Sequence, residues 1–236
     1  MTENPYNNII EENAKRIREK IEKAAAKVGR NPDEISLMAV TKTQPVEAVN
    51  AAIAQGITLL GENRAQELLA KYDNYDKQDT EIHFIGALQT NKVRQIINKV
   101  DLIQSLNSER LATEIEKQAA AANRMMDVLI EVNIGREISK AGIMPENFFE
   151  FAAKIAEYKH LNLRGIMAIP PISGNIVQTM SFFSAMSQLF VDIRGKNVDN
   201  KNIDILSMGM SDDFECAILS GATLIRIGSA LFGKRN

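Results

Sequence analysis

The stretch 35-ISLMAVTKTQPVEAVNAAIAQGITLLG-61 decides the fold. It opens on a short apolar run, ISLMAV, passes through the turn-forming TKTQP, continues in a segment with helical spacing that ends at Gly56, and closes on a second apolar run, ITLLG. Near-continuous hydrophobicity over five or so residues suits a strand covered on both faces, as strands of a parallel sheet are. The unit therefore reads strand, helix, strand. Working outward, six more apolar runs follow: IHFIGAL from Ile82, DLIQSL from Asp101, DVLIEVNI from Asp127, LRGIMAIP from Leu163, IDILSMG from Ile203 and TLIRIG from Thr223. Each is trailed by a helical segment, such as SERLATEIEKQAAAAN from Ser108 or the short tail after Gly228. Strict alternation argues for a parallel sheet wound by right-handed crossovers. Eight units without a break in composition predict closure into a (β/α)8 barrel, with an open doubly wound sheet as the alternative. Before the first strand, Ile9, Ile10, Ile17, Ile21 and Val28 predict an extra N-terminal helix over Asn7 to Val28, ended by Gly29 and Asn31-Pro32. One domain over residues 1–236 is expected, with one long irregular loop, Asn133 to Pro145.

Composition narrows the function. With 236 residues, 45% hydrophobic and 25% charged, the chain has the make-up of an ordinary globular protein. A formal net charge of -2 gives no reason to expect a nucleic-acid or anionic-membrane partner. The single cysteine, Cys216, leaves no intrachain disulfide and fits a reducing compartment. The N-terminus shows no secretory pattern and no uninterrupted apolar run suits a bilayer span, so a cytoplasmic location is expected. No histidine or cysteine cluster has metal-ligand spacing, so no metal is expected.

In a barrel the chemistry belongs at the C-terminal ends of the strands. Lys42 follows the first strand directly. Most lysines are solvated surface groups, but an amine at a barrel mouth is also placed to attack a carbonyl. After strands seven and eight, LSMGMSDD from Leu206 and LIRIGSALFG from Leu224 carry Gly209 and Gly228, where backbone can approach a ligand. Ser229 to Phe232 can open a short helix there, the usual place for a phosphate in this fold. Lysine and cradle together point to a phosphorylated carbonyl ligand. Arg226 interrupts an apolar strand on the face opposite Ile225 and Ile227, so it either meets a ligand or forms a buried ion pair. His83 reads as a satisfied core histidine. His160 reads as a cation near a helix C-terminus. Ser211 reads as an N-cap for a helix that packs Cys216 inward. Met208 and Met210 either line the pocket or fill the core, and Lys140 reads as solvated.

These motifs bear a resemblance to a known family. AVTKTQP at Ala39, GENRAQE at Gly61, HFIGALQTNK at His83, VNIGREISKAG at Val132, LRGIMAIPP at Leu163, LSMGMSDDFECAILSGAT at Leu206 and RIGSALFG at Arg226 closely resemble the pyridoxal phosphate homeostasis proteins, whose fold is that of the alanine racemase N-terminal domain. The resemblance implies a Schiff base between pyridoxal 5′-phosphate (PLP) and Lys42. It implies that Ser207, Gly228 and Ser229 hold the phosphate, that Arg226 lies beside the pyridine nitrogen, and that Asn63 lines the site. Thr41 and Gln44 depart from the family pattern without touching the Schiff base. The implied role is to buffer or deliver PLP, with apo-enzymes as recipients, no catalytic residue, and a monomeric state. The competing roles are a PLP-dependent amino-acid racemase and a cofactor-free Schiff-base aldolase. Racemization needs a proton acceptor on each face of the substrate carbon. Lys42 can serve one face; for the other, none of Tyr6, Tyr72, Tyr75 and Tyr158 is expected at a strand end, and the second domain that supplies a tyrosine in the racemases is not expected in a chain ending at Asn236.

Overall fold

The computed structural model describes residues 4–171, 174–196 and 203–233. Eight parallel strands close into a barrel in sequence order. They are β1 (Ser36–Val40), β2 (Leu59–Glu62), β3 (Glu81–Phe84), β4 (Leu102–Leu106), β5 (Met126–Glu131), β6 (Leu161–Met167), β7 (Ile205–Ser207) and β8 (Leu224–Ile227). Each coincides with one of the eight apolar runs, and closure is made by β1 on β8, where Met38 pairs with Arg226. The open-sheet alternative is therefore excluded.

Helix α1 (Asn7–Lys27) precedes the barrel. Its buried residues, Ile10, Ala14, Ile17, Ile21, Ala24 and Ala25, recur at three and four, so one stripe packs inward. The crossover helices are α2 (Val46–Ala54), α3 (Ala65–Lys71), α4 (Thr90–Ile96), α5 (Glu109–Ala121), α6 (Phe148–Ala156), α7 (Ile176–Gly195) and α8 (Phe214–Leu219), and α9 (Ser229–Phe232) follows β8. Ser108 caps α5 through a hydrogen bond to the Leu111 amide, 3.3 Å. By length and composition α7 could cross a bilayer, although polar residues interrupt its apolar sequence. Its buried residues Thr179, Phe183, Met186, Phe190 and Ile193 fall on one face at helical spacing, as a barrel-covering helix requires.

The main core lies between strands and helices. Inside the barrel, two small apolar clusters fill the space: Met38, Val40, Ile85 and Leu224 on one side, and Leu102, Leu129 and Met167 on the other. His83 of β3, Gln104 of β4, Ser207 of β7 and Arg226 of β8 are buried polar residues.

Candidate functional site

A cavity of about 400 Å³ opens at the C-terminal ends of the strands. It is lined by Val40, Lys42, Asn63, Ile85, Ile169, Met210, Ser211, Asp212, Arg226, Gly228 and Ser229. Its size suits a small-molecule site, and its walls mix apolar side chains with a few convergent polar groups. A larger hollow, about 510 Å³, opens at the strand N-termini beside Ser36, Thr58 and Glu81. Barrel chemistry sits at the C-terminal end, so the smaller cavity is the functional candidate.

Lys42 stands two residues beyond β1 on a loop held from both sides. On its N-terminal side, Thr41 is fully buried; its hydroxyl donates to Glu62 Oε1 at 2.7 Å, and its amide bonds the Gly61 carbonyl at 3.0 Å. Glu62 is itself buried and also accepts a hydrogen bond from the Tyr75 hydroxyl. Burial pushes the Glu62 carboxyl above the ordinary carboxylate range, against the hydrogen bonds from Tyr75 and Thr41. On the C-terminal side, Thr43 adopts φ 62°, a left-handed conformation unusual for a threonine, and its amide donates to Glu67. Lys71 joins the two sides by bonding the Thr41 carbonyl at 3.1 Å and pairing with Glu67. A sequence-local turn, TKT, is thus fixed by α3, and the half-buried Lys42 side chain faces the cavity.

Asn63 follows β2 and brings a buried Oδ1 that has no hydrogen-bond partner among the described residues. Such an atom costs free energy unless something satisfies it, and here it belongs to a side chain lining the cavity. Gly86 sets the Asn63 backbone: a Cβ built there would lie 2.0 Å from the Asn63 carbonyl oxygen.

Arg226 is 3% exposed. Its Nη1 donates to Ser207 Oγ at 2.6 Å and its Nη2 to the Ala168 carbonyl at 2.8 Å. Among the described residues it makes no ion pair, so the buried-pair alternative does not hold. Burial pushes its pKa down to about 10, with Asp213 and Glu131 opposing from a distance. It stays charged at neutral pH, and its partners use only part of its five N–H groups.

Gly228 and Ser229 line the mouth at the start of α9, as expected. Ser207, also implied as a phosphate contact, and Gly209, expected where backbone approaches a ligand, are not among the described residues that line the cavity. Ser207 is wholly buried between Arg226 and Gln104 and does not reach the cavity wall. Gly209, at φ 90°, is dictated by packing, since a Cβ there would meet the Ala217 Cβ at 2.5 Å. Ser211 takes the mouth position instead. It does not cap α8; its Oγ accepts from the Gly228 and Ala230 amides, both at 3.2 Å, while Asp213 receives the Met210 amide. Met210 lines the cavity and Met208 is core. His83 is buried and fully bonded. His160 bonds Glu116 of α5 through both its amide and its ring, 2.8 and 2.9 Å, so a carboxylate rather than a helix end holds it. Lys140 pairs with Glu137, and Cys216 is partly buried against the core.

A closed barrel with a lysine after β1 and a glycine-serine mouth after β8 defines a class. The family described as alanine racemase, N-terminal domain, matches residues 12–236. A solved alanine racemase from Streptomyces coelicolor, 19% identical, shares this fold with a TM-score of 0.70 over 97% of this chain and 58% of that one. More particularly, the chain belongs to the family of pyridoxal phosphate homeostasis proteins. It is 40% identical to the protein of that name from Haemophilus influenzae over 96% of both chains. It is 30% identical to the PipY protein of Synechococcus elongatus, solved with PLP bound, with a TM-score of 0.79 over 91% of this chain and 100% of that one.

Proposed function

We propose that this protein holds PLP at the barrel mouth, covalently through Lys42, and serves PLP homeostasis by buffering or delivering the cofactor rather than by turning over a substrate. The observation that carries this reading is the convergence of Lys42, the partnerless Asn63 Oδ1, Arg226 and Gly228-Ser229 on one cavity. The PLP bound to PipY and the names of the curated relatives support it. When bound, PLP supplies an aldehyde for an amine and an electron-withdrawing ring. Lys42, on its doubly pinned loop, would hold the aldehyde carbon. The amide of Asn63 would find its missing partner on the ligand. Arg226 would donate to the pyridine nitrogen, and a guanidinium donor leaves that nitrogen unprotonated and the ring a poor electron sink. Gly228 and Ser229, on a turn that Ser211 holds through the Gly228 and Ala230 amides, would take the phosphate.

The phosphate reading has a direct consequence. Pyridoxal, which lacks the phosphate, is expected to bind at least about tenfold more weakly than PLP, as loss of charge-assisted hydrogen bonds implies. Parallel titrations followed by absorbance measure this, and equal affinities would remove Gly228-Ser229 from the site.

For the absence of turnover, the support is the chemistry of the cavity wall. None of the four tyrosines lines it, and among the described residues Asp212 is its one carboxylate. The purified, PLP-loaded protein is expected to racemize alanine negligibly. Turnover of about 1 per second or faster would be that of an enzyme and would end the carrier reading. On this reading the protein is a cytoplasmic monomer that passes PLP to apo-enzymes; the lone, partly buried Cys216 suits a reducing compartment.

A further inference from the structure

A line of hydrogen bonds crosses the barrel interior between its two apolar clusters. It begins at Arg226, whose Nη1 donates to Ser207 Oγ at 2.6 Å. Ser207 donates to Gln104 Oε1 at 2.7 Å. The other end of the same amide, Nε2, lies 2.9 Å from His83 Nδ1, and His83 Nε2 lies 2.7 Å from Glu81 Oε1. Arg226, Ser207, Gln104 and His83 are each at most 3% exposed, whereas the Glu81 side chain is 57% exposed and borders the hollow at the strand N-termini. The line therefore runs from the mouth to the opposite end of the barrel.

The donors leave one consistent direction. A guanidinium can only donate, so the Ser207 oxygen accepts from Arg226 and its proton goes on to Gln104 Oε1. That assigns Nε2 of Gln104 as the donor to His83 Nδ1. The histidine must then carry its proton on Nε2 and donate to Glu81. The hydrogen bond from His83 holds the Glu81 carboxyl below its ordinary range, as an ionised acceptor would be, with the charge of Arg164 adding to the effect. Arg164 is itself shared between Asp127 and Asp204. Gln104 is the one link whose two ends are different, an acceptor toward Ser207 and a donor toward His83, so it sets the direction of the whole line.

We infer that Gln104 is a positioning residue for the cofactor site: with His83 and Ser207 it orients the Arg226 guanidinium toward the cavity. This rests on the PLP reading above. Without the amide, the Ser207 hydroxyl is free to turn, and Arg226 keeps only the Ala168 carbonyl as a fixed partner. A glutamate at 104 can still accept from Ser207, and can accept from His83 as well once the ring takes a proton on Nδ1.

Two measurements test this. The first uses the protein without PLP, labelled with nitrogen-15. Imidazole shifts of His83, assigned against the only other histidine, His160, should show Nε2–H and an unprotonated Nδ1. In Gln104→Glu both nitrogens should be protonated. A native Nδ1–H tautomer reverses the line and overturns the inference. The second measures PLP affinity and the visible band of the bound cofactor across pH 6 to 9. Gln104→Met should shift the band and weaken binding on the order of fivefold, the worth of one hydrogen bond, while Gln104→Glu should restore the native band. Native affinity and band in Gln104→Met overturn the inference while leaving the PLP reading intact; a native protein that binds no PLP overturns that reading itself. If Gln104→Met does not fold, Ser207→Ala cuts the same line one link closer to Arg226 and is read in the same way.

Discussion

Lys42→Ala is expected to leave a folded barrel that binds no PLP covalently. The visible band of the adduct should be absent, while far-ultraviolet dichroism and the melting temperature stay near native values. The reason is local. Lys42 is half-buried on a loop beyond β1, and that loop is pinned by contacts of its neighbours: Thr41 with Glu62, Thr43 with Glu67, and Lys71 with the Thr41 carbonyl. Removing the amine deletes the nucleophile and none of these. Weak, reversible binding through the phosphate-facing groups and Arg226 should persist. An undiminished band in Lys42→Ala would move the covalent site to another lysine, with Lys92 and Lys140 the first to test.

Gly86→Ala is expected to damage both stability and binding. A Cβ at this position would lie 2.0 Å from the carbonyl oxygen of Asn63 and 2.8 Å from its Cα. These are backbone atoms at the end of β2, so no side-chain rotation relieves the clash. Relief requires β2 and the β3–α4 loop to part, and that moves Asn63 away from the ligand. A loss of roughly 1 to 3 kcal/mol in unfolding free energy is expected, the range for overpacking at a rigid position. PLP affinity should fall at least about tenfold, the equilibrium equivalent of about 1.4 kcal/mol. Chemical denaturation and a PLP titration of the same preparation measure the two effects. A variant as stable as native, with native affinity, would show that Asn63 is not held by this contact.

The fold was legible because each strand is a short apolar run and each crossover has its own helical period; both signals are local. The direction of Arg226 was legible too, since alternation with Ile225 and Ile227 puts it inside the barrel. Its partners were not. Alternation tells which face a residue occupies but not its height along the barrel axis, which depends on the stagger between strands. Ser207 and Arg226 are 19 residues apart and meet below the cavity, so the serine that resembles a phosphate ligand serves the arginine instead. Ser211 departs from the expected capping role for a similar reason: Asp213 receives the Met210 amide, and the serine bonds amides of the next strand-to-helix turn. A buried glutamine in DLIQSL was a signal in plain view, because a polar residue inside a strand run must find partners. The sequence could not say that those partners are His83 and Ser207.

The most direct test of covalent PLP binding at Lys42 is borohydride reduction of the PLP-loaded native protein, followed by peptide mapping by mass spectrometry. A single reduced pyridoxyl adduct on the peptide carrying 39-AVTKTQP-45, located at Lys42, is the predicted result. An adduct chiefly on another lysine, or none at all in protein that has been saturated with PLP, would contradict it.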